Sequence, residues 1–168
     1  QNIKIASVIN GQGYHYVVAK DGSGDFTLVQ EAINAVPDFR KEETKIYIKN
    51  GIYHEKLTLP STKTNVTFVG ESEQETILTY NDSAQTLNAF GEPLGTTGSS
   101  SFFVFGEGFT AKNITFENAA GNGRVVGQAV AVRVTGDKAV FKNCRFLGYQ
   151  DTLYVHGDKS RQYYKNCY

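Results

Sequence analysis

The 168-residue sequence predicts an all-β solenoid, a chain wound into coils whose short strands stack in parallel. Three observations carry this. A strand motif recurs as NVTF at Asn65, KNITF at Lys112, KNCRF at Lys142 and KNCY at Lys165. The Asn of each copy falls at position 65, 113, 143 or 166. A coil of roughly 23 residues divides these steps as two coils, one coil with an insertion, and one coil. Finally, 17 Gly, 11 Phe and 10 Tyr against only three Pro suit short strands and tight turns. The same strand spacing also suits a β-sandwich. Four matched copies, with the insertion in the Gly-rich AAGNGRVVG, favour the solenoid.

Residues 1–12 read as a loose leader. Tyr14 to Val18 reads as the first strand, and DGSGD (21–25) as a turn. Val29, Ala32, Ile33 and Val36 share one helical face, so residues 27–36 read as the single convincing helix. Thr27 and Gln30 fit a capping box, and Pro37 stops the helix. Its place is over the open N-terminal end of the apolar stack. Strands are expected at 45–48, 56–59, 65–69, 76–80 and from 101–105 onward. Between them, 82–101 is a long polar loop, of a length that is usually either disordered or functional.

Composition bounds the rest. The chain is read as a single domain over 1–168. Lys+Arg and Asp+Glu are 17 each, which argues against a nucleic-acid binder with a basic surface. No apolar run is long enough to span a bilayer. The chain has no Met, so Gln1 is read as following a removed export signal or a trimmed end.

Most catalytic motifs are absent. There is no Gly-x-Ser-x-Gly and no P-loop. The three His are scattered, and DGSGD lacks the Gly and Glu of a calcium loop, so no metal is expected. What remains emerges from the coil period. Gln128 and Gln150 are close to one coil apart and should lie side by side on neighbouring coils, with Asp151 adjacent. Two amide donors beside a carboxyl suit acyl transfer: the amides hold an oxyanion and the carboxyl moves a proton. Stacked Gln and Asn also occur in solenoids simply as satisfied turns, so both readings stand on geometry alone.

The segments VVAKDGSGDFTLVQEAINAVP, IYIKNGIYHEKL, NVTFVGE, GFTAKNITFENAAG, QAVAVR and FLGYQDTLYVHG resemble the pectin methylesterases, or pectinesterases, in the family's order from about Val17 to Tyr168. The resemblance implies a right-handed parallel β-helix that removes methyl esters from the galacturonate units of pectin, with no cofactor. Carried over, Asp151 becomes the proton donor and acceptor, and Gln150 and Gln128 the oxyanion stabilisers. Thr96, with Thr97 close behind, becomes a substrate contact, although Gly98 and serines follow where the family has Phe. The family's nucleophilic Asp lies about one coil past Asp151 and its Arg further still, both beyond Tyr168. The chain is therefore expected to be the N-terminal part of the domain, truncated at the C-terminal end of the stack, with part of the site. The resemblance also implies a secreted protein, extracellular or periplasmic, most simply monomeric, acting on pectin. Two rivals stay open: a pectate lyase-like enzyme, and a non-catalytic carbohydrate-binding or structural solenoid.

Cys144 and Cys167 are also one coil apart, each following a repeat Asn. They should stack at one position of adjacent coils, bonded or as reduced core residues.

Overall fold

The structure, a computed structural model, describes residues 13–168. The expected leader at 1–12 lies outside them. Fourteen short strands and three helical segments make up the described chain. The strands are β1 (Tyr16–Val18), β2 (Thr44–Ile48), β3 (Gly51–His54), β4 (Leu57–Leu59), β5 (Val66–Gly70), β6 (Thr76–Tyr80) and β7 (Phe102–Val104). They continue with β8 (Thr110–Lys112), β9 (Thr115–Asn118), β10 (Val132–Val134), β11 (Ala139–Lys142), β12 (Arg145–Leu147), β13 (Leu153–Val155) and β14 (Gln162–Lys165). The helices are α1 (Val29–Ala35), α2 (Gly95–Gly98) and α3 (Gly123–Val126).

Every strand pairing in the three sheets is parallel, and the chain visits the sheets in rotation. One sheet is ordered β1-β2-β5-β8-β11-β14, the second β3-β6-β9-β12, and the third β4-β7-β10-β13. This is a parallel β-helix, as the repeat predicted. Ile46, Phe68, Ala111, Phe141 and Tyr164 stand over one another, one from each coil. The interval from Phe68 to Ala111 is the longest of these, because it holds the 82–101 loop.

That register corrects the repeat. Asn113, Asn143 and Asn166 each follow a Lys of one stacked column, Lys112, Lys142 and Lys165. Asn65 belongs elsewhere, because Thr67 pairs with Thr110 and puts Asn65 beside Gly108. The step from Asn65 to Asn113 is therefore one enlarged coil plus a shift to the next corner, not two coils. All four Asn share a left-handed backbone, φ 52–57°, which Asn tolerates better than other non-Gly residues. The motif matched because two different corners of the coil need the same turn chemistry.

Apolar side chains alternate inward along the strands and fill the coil interior. Phe68, Phe102 and Phe116 stack with ring centroids 5.7 and 5.8 Å apart, and Phe146 continues the stack at 5.7 Å. Phe109 and Phe141 meet this column edge-on, and Tyr164 lies flat on Phe141 at 5.2 Å. Phe146, Leu153, Tyr164 and Cys167 are only partly buried where β12, β13 and β14 have no further partner among the described residues.

The helix forms where expected and packs its Val29–Ala32–Ile33 face on β1 and β4, over the first coil. The Thr27–Gln30 capping box does not form: Leu28 occupies the N-cap and gives no side-chain bond. Glu55, just after β3, takes its place by accepting from the Val29 and Gln30 N–H groups at 2.8 and 3.1 Å. A carboxylate suits the positive end of the helix. Gln30 is thereby freed for the open edge of β4. Its amide donates to the Thr58 carbonyl at 3.0 Å and accepts from the Thr58 N–H at 2.8 Å, standing in for a neighbouring strand. Glu55→Ala is expected to cost about 1 kcal/mol of stability, the usual worth of a helix cap, read as a lower midpoint in chemical denaturation.

The cysteines stack as expected and are free thiols. Tyr168 N–H donates to the Cys144 carbonyl at 3.0 Å. Each thiol faces two carbonyls in the same pattern, Cys144 those of Ala111 and Lys142, Cys167 those of Phe141 and Lys165. Burial pushes the Cys144 thiol up to about 12. Because the thiolate is the nucleophile, Cys144 should resist iodoacetamide at pH 8 in the native protein and react once the chain is denatured. Rapid native labelling at Cys144 would contradict this packing.

Candidate active site

The expected site residues gather at the entry ends of two neighbouring strands, β10 and β13. Val132 pairs with Leu153, which sets the register at this corner of the coil. Ala129 N–H donates to the Gln150 carbonyl at 3.1 Å, which in a parallel ladder sets Gln150 across from Gln128, the expected register. The Thr152 carbonyl accepts from both Ala131 and Val132, which absorbs the one-residue difference between this spacing and the β10–β13 pairing. Asp151 occupies the turn that launches β13. It is exposed and left-handed, φ 56°, a conformation that costs a non-Gly residue on the order of 1 kcal/mol.

Two insertions frame these residues. The first is the long polar loop expected at 82–101, which is closed by its own contacts. Asn118, 2% exposed, donates to the carbonyls of Asp82, Ser99 and Val130, tying both ends of the loop to the approach to β10. Lys56 bonds both the Asp82 carboxylate and the Gly98 carbonyl, a second clasp across the loop's ends. Within the loop, Ala84 N–H donates to the Gln128 carbonyl at 2.7 Å, and Gly95 N–H donates to the Ala84 carbonyl at 3.0 Å. These two bonds anchor the loop to the approach to β10, with Thr96 in the single turn of α2 just after Gly95.

The second insertion carries α3, where the Asn122 side chain accepts from the Arg124 N–H at 3.0 Å. Gly123 lies hard against Gln150: a Cβ there would stand 2.9 Å from both the Cβ and Oε1 of Gln150. Only glycine lets the insertion pack this closely. The sequence showed GNGRVVG as Gly-rich but gave no sign that Gly123 buttresses Gln150.

The outward face of the third sheet runs away from this group. Phe103, Arg133 and Tyr154 are in register on β7, β10 and β13. Phe105 lies 5.8 Å from Phe103, and His156 lies 6.1 Å from Tyr154. No group of three or more His, Cys, Asp or Glu among the described residues has metal-binding geometry.

The architecture is thus a parallel β-helix with a polar group at the strand ends of one sheet and an aromatic face beside it. The Pectinesterase family model matches residues 15–168, and the chain belongs to that family. It is 48% identical over 157 residues to pectinesterase 31 of Arabidopsis thaliana, covering 90% of this chain and 48% of that protein. It is 44% identical to pectinesterase 4 of the same plant, covering 91% of this chain and 25% of that one. Among solved structures, pectin methylesterase from carrot superposes with a TM-score of 0.84 at 41% identity, over 93% of this chain and 46% of that one. Pectin methylesterase PemA from Erwinia chrysanthemi gives 0.81 at 34% identity, over 92% and 48%. The chain spans about half or less of the length of these relatives. A further pectin methylesterase, solved in complex with a hexasaccharide, gives a TM-score of 0.78 at 34% identity, over 84% of this chain and 45% of that one.

Proposed function

We propose that the protein to which this chain belongs hydrolyses the methyl esters of pectin, releasing methanol. The carrying observation is the stacking of Gln150 on Gln128, with Asp151 adjacent, ahead of β13 and β10. Family membership supports the reading, and the oligosaccharide complex of the relative supports a polysaccharide substrate.

In this reading the ester carbonyl lies against the side-chain amides of Gln128 and Gln150. As a nucleophile attacks, the carbonyl oxygen gains charge and the two amides stabilise it. Asp151 donates a proton to the departing methoxide, then takes one from the water that cleaves the acyl-enzyme. Its exposed turn leaves the carboxyl open to substrate and water alike. A second, ionised carboxylate must attack; Asp151 and the two Gln fill only the proton-transfer and oxyanion roles. Thr96 contacts the sugar chain, and Tyr154, on the adjoining face, offers a ring for a sugar to stack on. The substrate lies outside cells, so the protein is exported. Among the described residues no helix is long and apolar enough to cross a membrane.

The test is incubation of the full-length enzyme with highly esterified pectin. Methanol release without unsaturated sugar ends supports the esterase. Unsaturated ends would reveal a lyase, and binding without product a carbohydrate-binding solenoid.

A further inference from the structure

Three serines in a row, Ser99, Ser100 and Ser101, follow the α2 turn, and all three are buried. A buried hydroxyl is costly unless it is paired. Ser100 bonds the Phe102 carbonyl of its own segment at 2.8 Å. Ser99 alone of the three sends its hydroxyl to a neighbouring coil. It accepts from the Val130 N–H at 3.1 Å and donates to the Thr96 carbonyl at 2.7 Å. Those two bonds complete a ring. From Val130 the chain runs back two residues to Gln128, whose carbonyl accepts from the Ala84 N–H. The Ala84 carbonyl accepts from the Gly95 N–H, and Thr96, next to Gly95, leads back to Ser99. Asn118 braces the ring at one point, donating to the Ser99 and Val130 carbonyls at 3.2 and 3.0 Å. β7 pairs with β10 only from Phe102 opposite Val132 onward, so on that side the ring, and not a strand, holds Gln128.

We propose that Ser99 is a positioning residue for the oxyanion amide of Gln128. It is wholly buried and touches no substrate. It acts through the backbone at Val130, two residues from Gln128, and through the turn that carries Thr96. An amide stabilises a developing charge only where it is set in place beforehand, and a displacement of about 1 Å can cost 10²-fold in rate. A closed ring of hydrogen bonds resists such displacement better than an open chain, because each member is held from both sides. Removing the Ser99 hydroxyl opens the ring at its one side-chain link and leaves the Val130 N–H without its acceptor. The α2 turn and the Gln128 segment then move independently of each other. The proposal rests on the esterase reading above.

The experiment is a double-mutant cycle on methanol release, using the full-length enzyme, Ser99→Ala, Gln128→Ala and the double variant, all assayed well below their melting points. Ser99→Ala is expected to lower kcat by roughly ten- to 10²-fold with little change in KM. In the Gln128→Ala background the same substitution should cost nothing further, because the group it positions is gone. A residue that serves only the fold would lower kcat by the same factor in both backgrounds; that result, or an unchanged kcat in Ser99→Ala, overturns the proposal. Ser99→Cys fills the same space with a weaker acceptor and should fall between the parent and Ser99→Ala. It takes over the cycle if the Ala variant folds poorly. The ring is also read without turnover, by hydrogen exchange at the Val130 amide. Exchange should quicken roughly tenfold in Ser99→Ala, the scale of one hydrogen bond, and an unchanged rate overturns the proposal. Failure of the parent enzyme to release methanol would instead sink the esterase reading.

Discussion

Asp151→Asn in the full-length enzyme is expected to lower methanol release by roughly 10²–10⁴-fold, the usual contribution of a positioned acid–base group. The fold should not suffer. Asp151 is exposed on a left-handed turn, and Asn has the same shape and tolerates that backbone equally well. The variant should therefore melt with the parent, separating loss of a proton carrier from loss of structure. Turnover within tenfold of the parent would remove Asp151 from the mechanism.

Truncating either amide comes next in size. Gln128→Ala and Gln150→Ala should each lower kcat by roughly 10²–10³, as loss of one oxyanion donor does, with KM changing little. The double variant should fall short of the product of the two, because the donors serve one charge. Gly123→Ala offers an indirect route to the same loss: its new Cβ would meet Gln150 at 2.9 Å and push the amide out of place. An effect confined to KM would make both glutamines binding residues.

Much of this architecture was legible from local pattern. The apolar face of α1 shows in its helical spacing, the strands at 44–48 and 57–59 in their alternation, and the coil period in the Lys-Asn column. What local pattern could not show is which corner of the coil each Asn occupies. Asn65 and Asn113 have the same backbone requirement at different corners, and only strand pairing separates them. Glu55 capping α1 and Gln30 completing β4 are likewise contacts between residues far apart in the chain. The site shows the same division. Gln128, Gln150 and Asp151 could be brought together by period alone. The anchoring of the 82–101 loop beside them depends on Ala84 and Gly95 backbone groups, which carry no sequence signal.

The ring column inside the coils has a consequence for how the molecule comes apart. Phe102, Phe116 and Phe146 come from three successive coils and stack face to face, so each coil grips the next. Stability in such a stack is a sum of nearest-neighbour terms rather than a property of one shared centre. Opening one coil should therefore loosen the coils it touches before more distant ones. Among the described strands, β5, β8 and β9 are paired on both sides, so their amides should exchange slowly with solvent. Asp151 and Gln150 lead into a strand of the same stack, so the rigidity of the site is borrowed from its neighbours along the axis.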